Sequence, residues 1–129
     1  MSHRLVLLAS LVLSAGCGGA ASTTGTTGTT GTDYSTRASA IAALSGSVSS
    51  GGALYKSTAS PTCASCHLAD GSGQPPTTPG LIEPAANDTD EELATAILKG
   101  GDAMKSYASS LSDQQVADLI AYLRSAFAQ

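Results

Sequence analysis

Tryptophan is absent from the 129 residues, phenylalanine occurs once and tyrosine four times, so aromatics make up only 4% of the chain. A core built mainly from large rings is thereby excluded. Small domains bury only about 60% of the surface their unfolded chains expose and usually need a disulfide, metal or cofactor to hold them. Something other than aromatic side chains must fill this one. Charge is sparse as well, at 12% of residues, and six Lys and Arg against ten Asp and Glu leave a formal net charge of −4. That balance gives no basic surface for a nucleic acid. No run of like charge exceeds Asp90-Glu91-Glu92, which excludes a chain kept disordered by charge. The length argues against a multidomain enzyme. The apolar run Leu5 to Leu13 is about half the roughly 20 residues that a membrane-spanning helix needs. Cysteine occurs three times, an odd number, so at least one thiol does something other than pair within the chain.

What is present begins with an export signal. Met1 to Arg4 carry positive charge, Leu5 to Leu13 are apolar, and Leu13-Ser14-Ala15-Gly16-Cys17 follows, the layout of a signal peptide. Small residues directly before a cysteine resemble the lipobox of bacterial lipoproteins, in which cleavage exposes the cysteine for lipid attachment. On that resemblance residues 1–16 are the leader and Cys17 is a lipid anchor, although Ser14 stands where that pattern more usually has Leu. The other reading is an ordinary secretory peptide cleaved near Ala15 or Ala20. Both place the protein outside the cytoplasm, and the lipid-anchored reading places it in the cell envelope, facing the periplasm or the cell surface. Loss of the leader takes His3 and Arg4 with it, which moves the net charge to −5 and leaves His67 as the sole histidine. A zinc site at Cys63 and Cys66 would need two further ligands, and no residues have the spacing to supply them.

From Gly18 to Thr32 the chain is almost entirely Gly, Ala, Ser and Thr. A segment of that composition has nothing to bury and behaves as a flexible coil reaching about 20 Å, either as a tether or as low-complexity sequence of no selected length. The organisation expected is therefore a lipidated tether over residues 17–47 and a folded domain over 48–129. Within the tether, Asp33 to Ser47 is ambiguous: Ile41 and Leu44 in an Ala-rich setting suit either a short helix resting on the body or more linker. Three better helices follow. Ser49 or Ser50 can cap a stretch running to about Lys56, with Gly51 and Gly52 weakening its start. Thr89 with Glu92 forms a capping box before Leu93, Ile97 and Leu98, and Gly100 ends that helix. Ser112 with Gln115 repeats the device before Val116, Leu119, Ile120, Leu123 and Phe127, at spacings of three and four. No segment alternates as a strand. The expected fold is all-α, with Pro- and Gly-rich loops from Asp70 to Ala86.

Cys63-Ala64-Ser65-Cys66-His67 carries the chemistry, because C-x-x-C-H is the haem-attachment signature of c-type cytochromes. Two thiols on one helical turn can each add to a haem vinyl group, and the next residue sets an imidazole beneath the iron. C-x-x-C without the histidine would also suit a thiol redox enzyme or a structural disulfide. The former requires strands around the motif. The sixth iron ligand is expected to be Met104, the one methionine left after the leader is removed, placed where the chain leaves a helix at Gly100-Gly101. The alternative is an open or water-bound position.

From about Ser49 to Phe127 the chain resembles a small bacterial class I cytochrome c. The resemblance rests on Gly-Ala-Leu-Tyr at Gly52 to Tyr55, on Cys63 to His67, Gly71-Ser72-Gly73 and Pro79-Gly80-Leu81, on Gly101-Asp102-Ala103-Met104 with Tyr107, and on Leu111-Ser112-Asp113 leading to Ala121-Tyr122-Leu123-Arg124. It implies one covalently bound haem c with its iron, attached at Cys63 and Cys66 and ligated by His67 and Met104. It also implies that the Pro79 carbonyl accepts a hydrogen bond from the second ring nitrogen of His67, and that the first and last helices cross at Gly52, Tyr55 and Tyr122. Two features depart from the pattern. Lys105 stands where the family has a proline after the ligand methionine, and Tyr55 lies eight residues before Cys63, farther than usual, which places a small insertion at Ser57 to Thr62 near the haem edge.

A haem held by His and Met has no vacant coordination position and suits one-electron transfer rather than substrate chemistry. The first expectation is therefore a membrane-tethered, monomeric electron carrier between redox proteins, with no enzymatic activity of its own. Lys105, Tyr107, Ala64 and Ser65 are expected near the exposed haem edge. The second expectation is a peroxidase-like or gas-sensing haem with a labile sixth ligand, which the lysine at 105 would favour, but no second histidine is present to act as distal acid or base. The third is a lipoprotein adhesin or scaffold, for which the C-x-x-C-H run would be coincidence. On the first reading Leu54, Leu68, Leu81, Leu93, Ile97, Met104, Leu119 and Leu123 pack around the macrocycle, which stands in for the missing rings.

Overall fold

The computed structural model describes residues 33–129, and the leader, Cys17 and the Gly/Thr-rich repeat lie outside them. Six α-helices are present among the described residues: α1 Ser35–Ala42, α2 Val48–Ala53, α3 Ala64–His67, α4 Ile82–Asn87, α5 Asp90–Lys99 and α6 Asp113–Phe127. A π-helical turn, Leu54–Thr58, continues α2. No strand is found among these residues, only a single antiparallel bridge between Gln74 and Thr78. None of these helices is long and apolar enough to cross a membrane.

The two capping boxes start the two longest helices. Thr89 accepts from the Glu92 amide while the Glu92 carboxylate accepts from the Thr89 amide, and Ser112 and Gln115 make the same exchange. Each box satisfies two of the otherwise orphaned donors of a first turn. The bonds from the Thr89 amide and hydroxyl also hold the Glu92 carboxyl below the usual carboxylate range. Gly100 closes α5 with φ +72°, and a Cβ there would lie 2.4 Å from the Met104 carbonyl oxygen, so glycine alone fits this exit. The apolar stripes expected for both helices are buried: Leu93, Ile97 and Leu98 on α5, and Val116, Leu119, Ile120, Leu123 and Phe127 on α6.

The most extensive helix contact is that of α2 with α6. It is close because Gly51 has no side chain: a Cβ at this position would lie 1.9 Å from the Asp118 carbonyl oxygen. The start of α2 differs from expectation. Ser47, not Ser49 or Ser50, is the N-cap, its hydroxyl accepting from the Ser50 amide. Ser47 is fixed there by a distant residue, since its own amide donates to the Asp118 carboxylate at 2.8 Å. Asp118 is only 8% exposed and also accepts from Gln114 Nε2 at 3.0 Å. Tyr55, Tyr122 and Phe127 gather at this crossing with ring centroids 5.2 to 5.8 Å apart, so three of the chain's five aromatics form one cluster. Gly52, Tyr55 and Tyr122 meet there as the family resemblance implied.

Three expectations need correction. The tether assigned to 17–47 does not extend that far, because α1 packs on α5 and α6 and buries Ala38 and Ile41 completely. Arg37 fastens it: Nε donates to Asp113 Oδ1 at 2.7 Å, and the two terminal nitrogens donate to the carbonyls of Ala108 and Leu111 at 2.6 and 3.0 Å. Of the two readings left open for Asp33 to Ser47, the structure contains the helix. Second, α4 lies in what was expected to be loop. Pro84 sits in its first turn, where a missing N–H removes no intrahelical bond. Arg124 of α6 donates to the Ala85 and Asp88 carbonyls and to Asp90 Oδ1, so the C-terminal end of α4 is held from outside. Third, Leu68 is not core. It is 38% exposed, because the chain turns there through φ +61° and the Tyr55 hydroxyl holds the Leu68 carbonyl at 2.6 Å.

Candidate functional site

Cys63 is the N-cap of α3, and its carbonyl accepts from the amides of Cys66 and His67 at 3.2 and 2.9 Å. This single turn puts Cys63, Cys66 and His67 on the wall of one crevice. Gln74 Nε2 donates to the carbonyls of Ser65 and Cys66 and satisfies acceptors that so short a helix leaves open. The sequence held no signal for Gln74, which reaches α3 only because the Gln74–Thr78 bridge turns the chain back. That turn delivers Pro79, whose carbonyl accepts from His67 Nδ1 at 3.0 Å. His67 is 8% exposed, and with Nδ1 engaged, Nε2 is the nitrogen left for a ligand bond.

Cys63 and Cys66 are not joined by a disulfide. Burial pushes the Cys63 thiol above its ordinary value, and the neighbouring Cys66 adds in the same direction. A nucleophilic C-x-x-C cysteine needs the opposite, a lowered pKa in an electropositive, open setting. The Cys63 thiol thus lacks that setting, and no strands flank the motif among the described residues.

The segment Gly100 to Lys105, with Met104 within it, lines the same crevice, and Tyr107 lies beyond it. Gly101 N donates to the Met104 carbonyl at 3.0 Å, and Tyr107 N donates to the Ile97 carbonyl at 3.2 Å. The Ser106 hydroxyl donates to the Leu98 carbonyl at 2.6 Å. These bonds fold the segment back onto the end of α5. Burial raises the Tyr107 phenol above its ordinary pKa, with a smaller push from the two cysteines. The crevice is about 470 Å³, within the range of small-molecule and cofactor sites. It brings together Cys63, Cys66, His67, Pro79 and Met104, together with Lys105 and Tyr107. Ala64 and Ser65, expected at the rim, do not line it. Cys17 is outside the described residues.

A protein-family model described as cytochrome C oxidase, cbb3-type, subunit III matches residues 46–123. The chain belongs to this family of cytochrome c domains. No curated protein and no solved structure matches. The cytochrome c domain binds haem c covalently through its iron-bearing macrocycle, and the crevice suits it on chemical grounds. Two thiols stand one helical turn apart, a buried imidazole has one nitrogen committed to a carbonyl, and a thioether faces the same space. The all-α architecture agrees with a cytochrome fold, and the family supports haem-based electron transfer.

Proposed function

We propose that the protein is a monohaem class I cytochrome c that passes single electrons between redox proteins and is held to a bacterial membrane through a lipid on Cys17. The observation that carries this reading is the single crevice lined by Cys63, Cys66, His67 and Met104 together. Cys63 and Cys66 would hold the haem as thioethers, and His67 Nε2 and the Met104 sulfur would be the side-chain groups available to ligate its iron. Bound haem supplies a one-electron couple, and a thioether ligand favours the reduced state and raises the potential. Pro79 keeps the imidazole in the Nδ1–H tautomer and fixes its plane. The apolar lining excludes water and lowers the local dielectric, which tunes the same potential. With both residues ligating the iron no position would remain for a substrate, which favours a carrier over an enzyme, and we take that carrier to act as a monomer. The cell envelope is where c-type cytochromes typically work, and the signal-peptide layout at Met1 to Cys17 supports the same location.

The peroxidase-like or gas-sensing reading drew on Lys105 loosening the ligand loop. Its ammonium donates to the Ser60 carbonyl at 3.1 Å, which restrains the loop on that side. The visible spectrum separates the two. Wild-type protein should show a low-spin spectrum with a sulfur-to-iron band and little carbon monoxide binding, and Met104→Ala should lose the band and bind carbon monoxide quickly. Rapid binding by the wild type would give the second reading precedence. For the anchor, Cys17→Ser should release the protein from membranes into the soluble fraction, and retention at wild-type levels would exclude lipidation at this residue.

A further inference from the structure

The two places where the sequence departs from the family pattern touch each other. Lys105 replaces the proline after Met104, and Ser57 to Thr62 is the insertion before Cys63. The insertion is not a loose loop. It begins as the π-helical turn Leu54–Thr58, the form an added residue takes inside a helix. The Ala59 amide donates back to the Leu54 carbonyl at 3.2 Å, and Ala59 is buried in the core. From that fixed point Pro61 and Thr62 run along the crevice to Cys63. Two bonds cross from the Met104 side to meet them. Lys105 Nζ donates to the Ser60 carbonyl at 3.1 Å, and the Tyr107 hydroxyl donates to the Pro61 carbonyl.

We propose that Lys105 and Tyr107 are positioning residues which, with the Ser60 and Pro61 carbonyls, form a clasp that closes one rim of the haem crevice and holds the Met104 loop over the iron. The proposal rests on Met104 being the sixth ligand. A proline after the methionine would restrain the loop from within by fixing its own φ. Here the restraint is external, two hydrogen bonds to a strap anchored on the attachment side of the crevice. The remaining bonds of the loop all run to its own turn or to the end of α5, so they set its base and leave its approach to the Cys63 wall to the clasp. The same two bonds tie the Cys63 and Met104 walls together, so opening the rim and releasing the methionine are one motion.

The test uses the full-length holoprotein and two probes that compete for the sixth position, carbon monoxide on the reduced form and imidazole on the oxidised form. Lys105→Ala and Tyr107→Phe should each speed binding of both probes by about threefold to tenfold, the range expected for loss of one hydrogen bond to a carbonyl, and should weaken the sulfur-to-iron band. Amide exchange at Gly101 to Met104 should quicken in parallel. Lys105→Arg, which keeps a donor, should behave as wild type, and so should Lys99→Ala, which removes a nearby positive charge outside the clasp. Wild-type rates in both Lys105→Ala and Tyr107→Phe, alongside fast binding in Met104→Ala, would overturn the clasp while leaving Met104 as ligand. A Met104→Ala protein with an unchanged band and unchanged probe binding would instead remove the ligand assignment, and the clasp with it.

Discussion

Replacing Gly51 with alanine is expected to cost about 3 kcal/mol, at the upper end of what overpacking does, while the same change one residue on, at Gly52, should leave stability close to wild type. The new methyl at residue 51 would sit 1.9 Å from the carbonyl oxygen and 2.5 Å from the carbonyl carbon of Asp118. Those atoms are helix backbone and cannot rotate aside, so α2 and α6 must separate. Separation would also draw Ser47 from the Asp118 carboxylate and spread the Tyr55, Tyr122 and Phe127 rings. At Gly52 the nearest atom is Tyr122 Cδ2, 3.1 Å away, and a ring edge can yield by a few tenths of an ångström. Alanine also gains up to about 1 kcal/mol over glycine inside a helix, which offsets that adjustment. Denaturant midpoints of the two holoproteins decide the matter, and equal midpoints would show that the crossing is not set by backbone contact at Gly51.

Removing the haem should have a larger effect. Without haem a crevice of about 470 Å³ stands open to water and its lining loses the contacts the macrocycle would make, in a domain too small to have much stability to spare. The Cys63→Ala, Cys66→Ala double variant, produced without haem, should keep helical far-ultraviolet dichroism from the capped α5 and α6. It should lose near-ultraviolet dichroism and a cooperative melt, the pattern of a state with helices but without fixed packing. A sharp melt close to that of the holoprotein would show that the polypeptide core is sufficient alone.

Those contrasting outcomes follow from how information is distributed along the chain. The Thr89–Glu92 and Ser112–Gln115 boxes are legible because each device is complete within four residues, and the apolar stripes behind them repeat at helical spacing. The C-x-x-C-H run is legible for the same reason, and its residues reach one crevice with Met104 because α3 is a single turn and Gly100 gives α5 an abrupt exit. What escaped the sequence depends on distant partners. Ser47 is the cap of α2 because Asp118 receives its amide, 71 residues away. The helix α4 persists around Pro84 because Arg124 holds its last carbonyls, and α1 is fixed by Arg37 to a loop more than 70 residues on. Gln74 and the Lys105–Ser60 contact belong to the same class. Leu68 was expected to pack around the macrocycle, but the chain turns at that residue through φ +61°, and the residue is 38% exposed and does not line the crevice.

The scarcity of rings also acquires a location. Tyr55, Tyr122 and Phe127 sit together at the helix crossing and Tyr107 lines the crevice, so four of the five aromatics serve these two places, while Tyr34 caps α1.

The fastening of α1 has a mechanical consequence. A pull on the chain upstream of Asp33 enters the folded body at Ser35 and meets the Arg37 bonds to Asp113, Ala108 and Leu111 within one turn of helix. All three bonds are made by one side chain, so unpeeling the chain from its N-terminus requires the Arg37 guanidinium to give up all of them. The next point of resistance is the Ser47–Asp118 bond. A load arriving through the upstream chain is thus passed by Arg37 to Asp113 of α6 and to the loop over residues 108–111, which begins one residue after Tyr107 of the crevice wall.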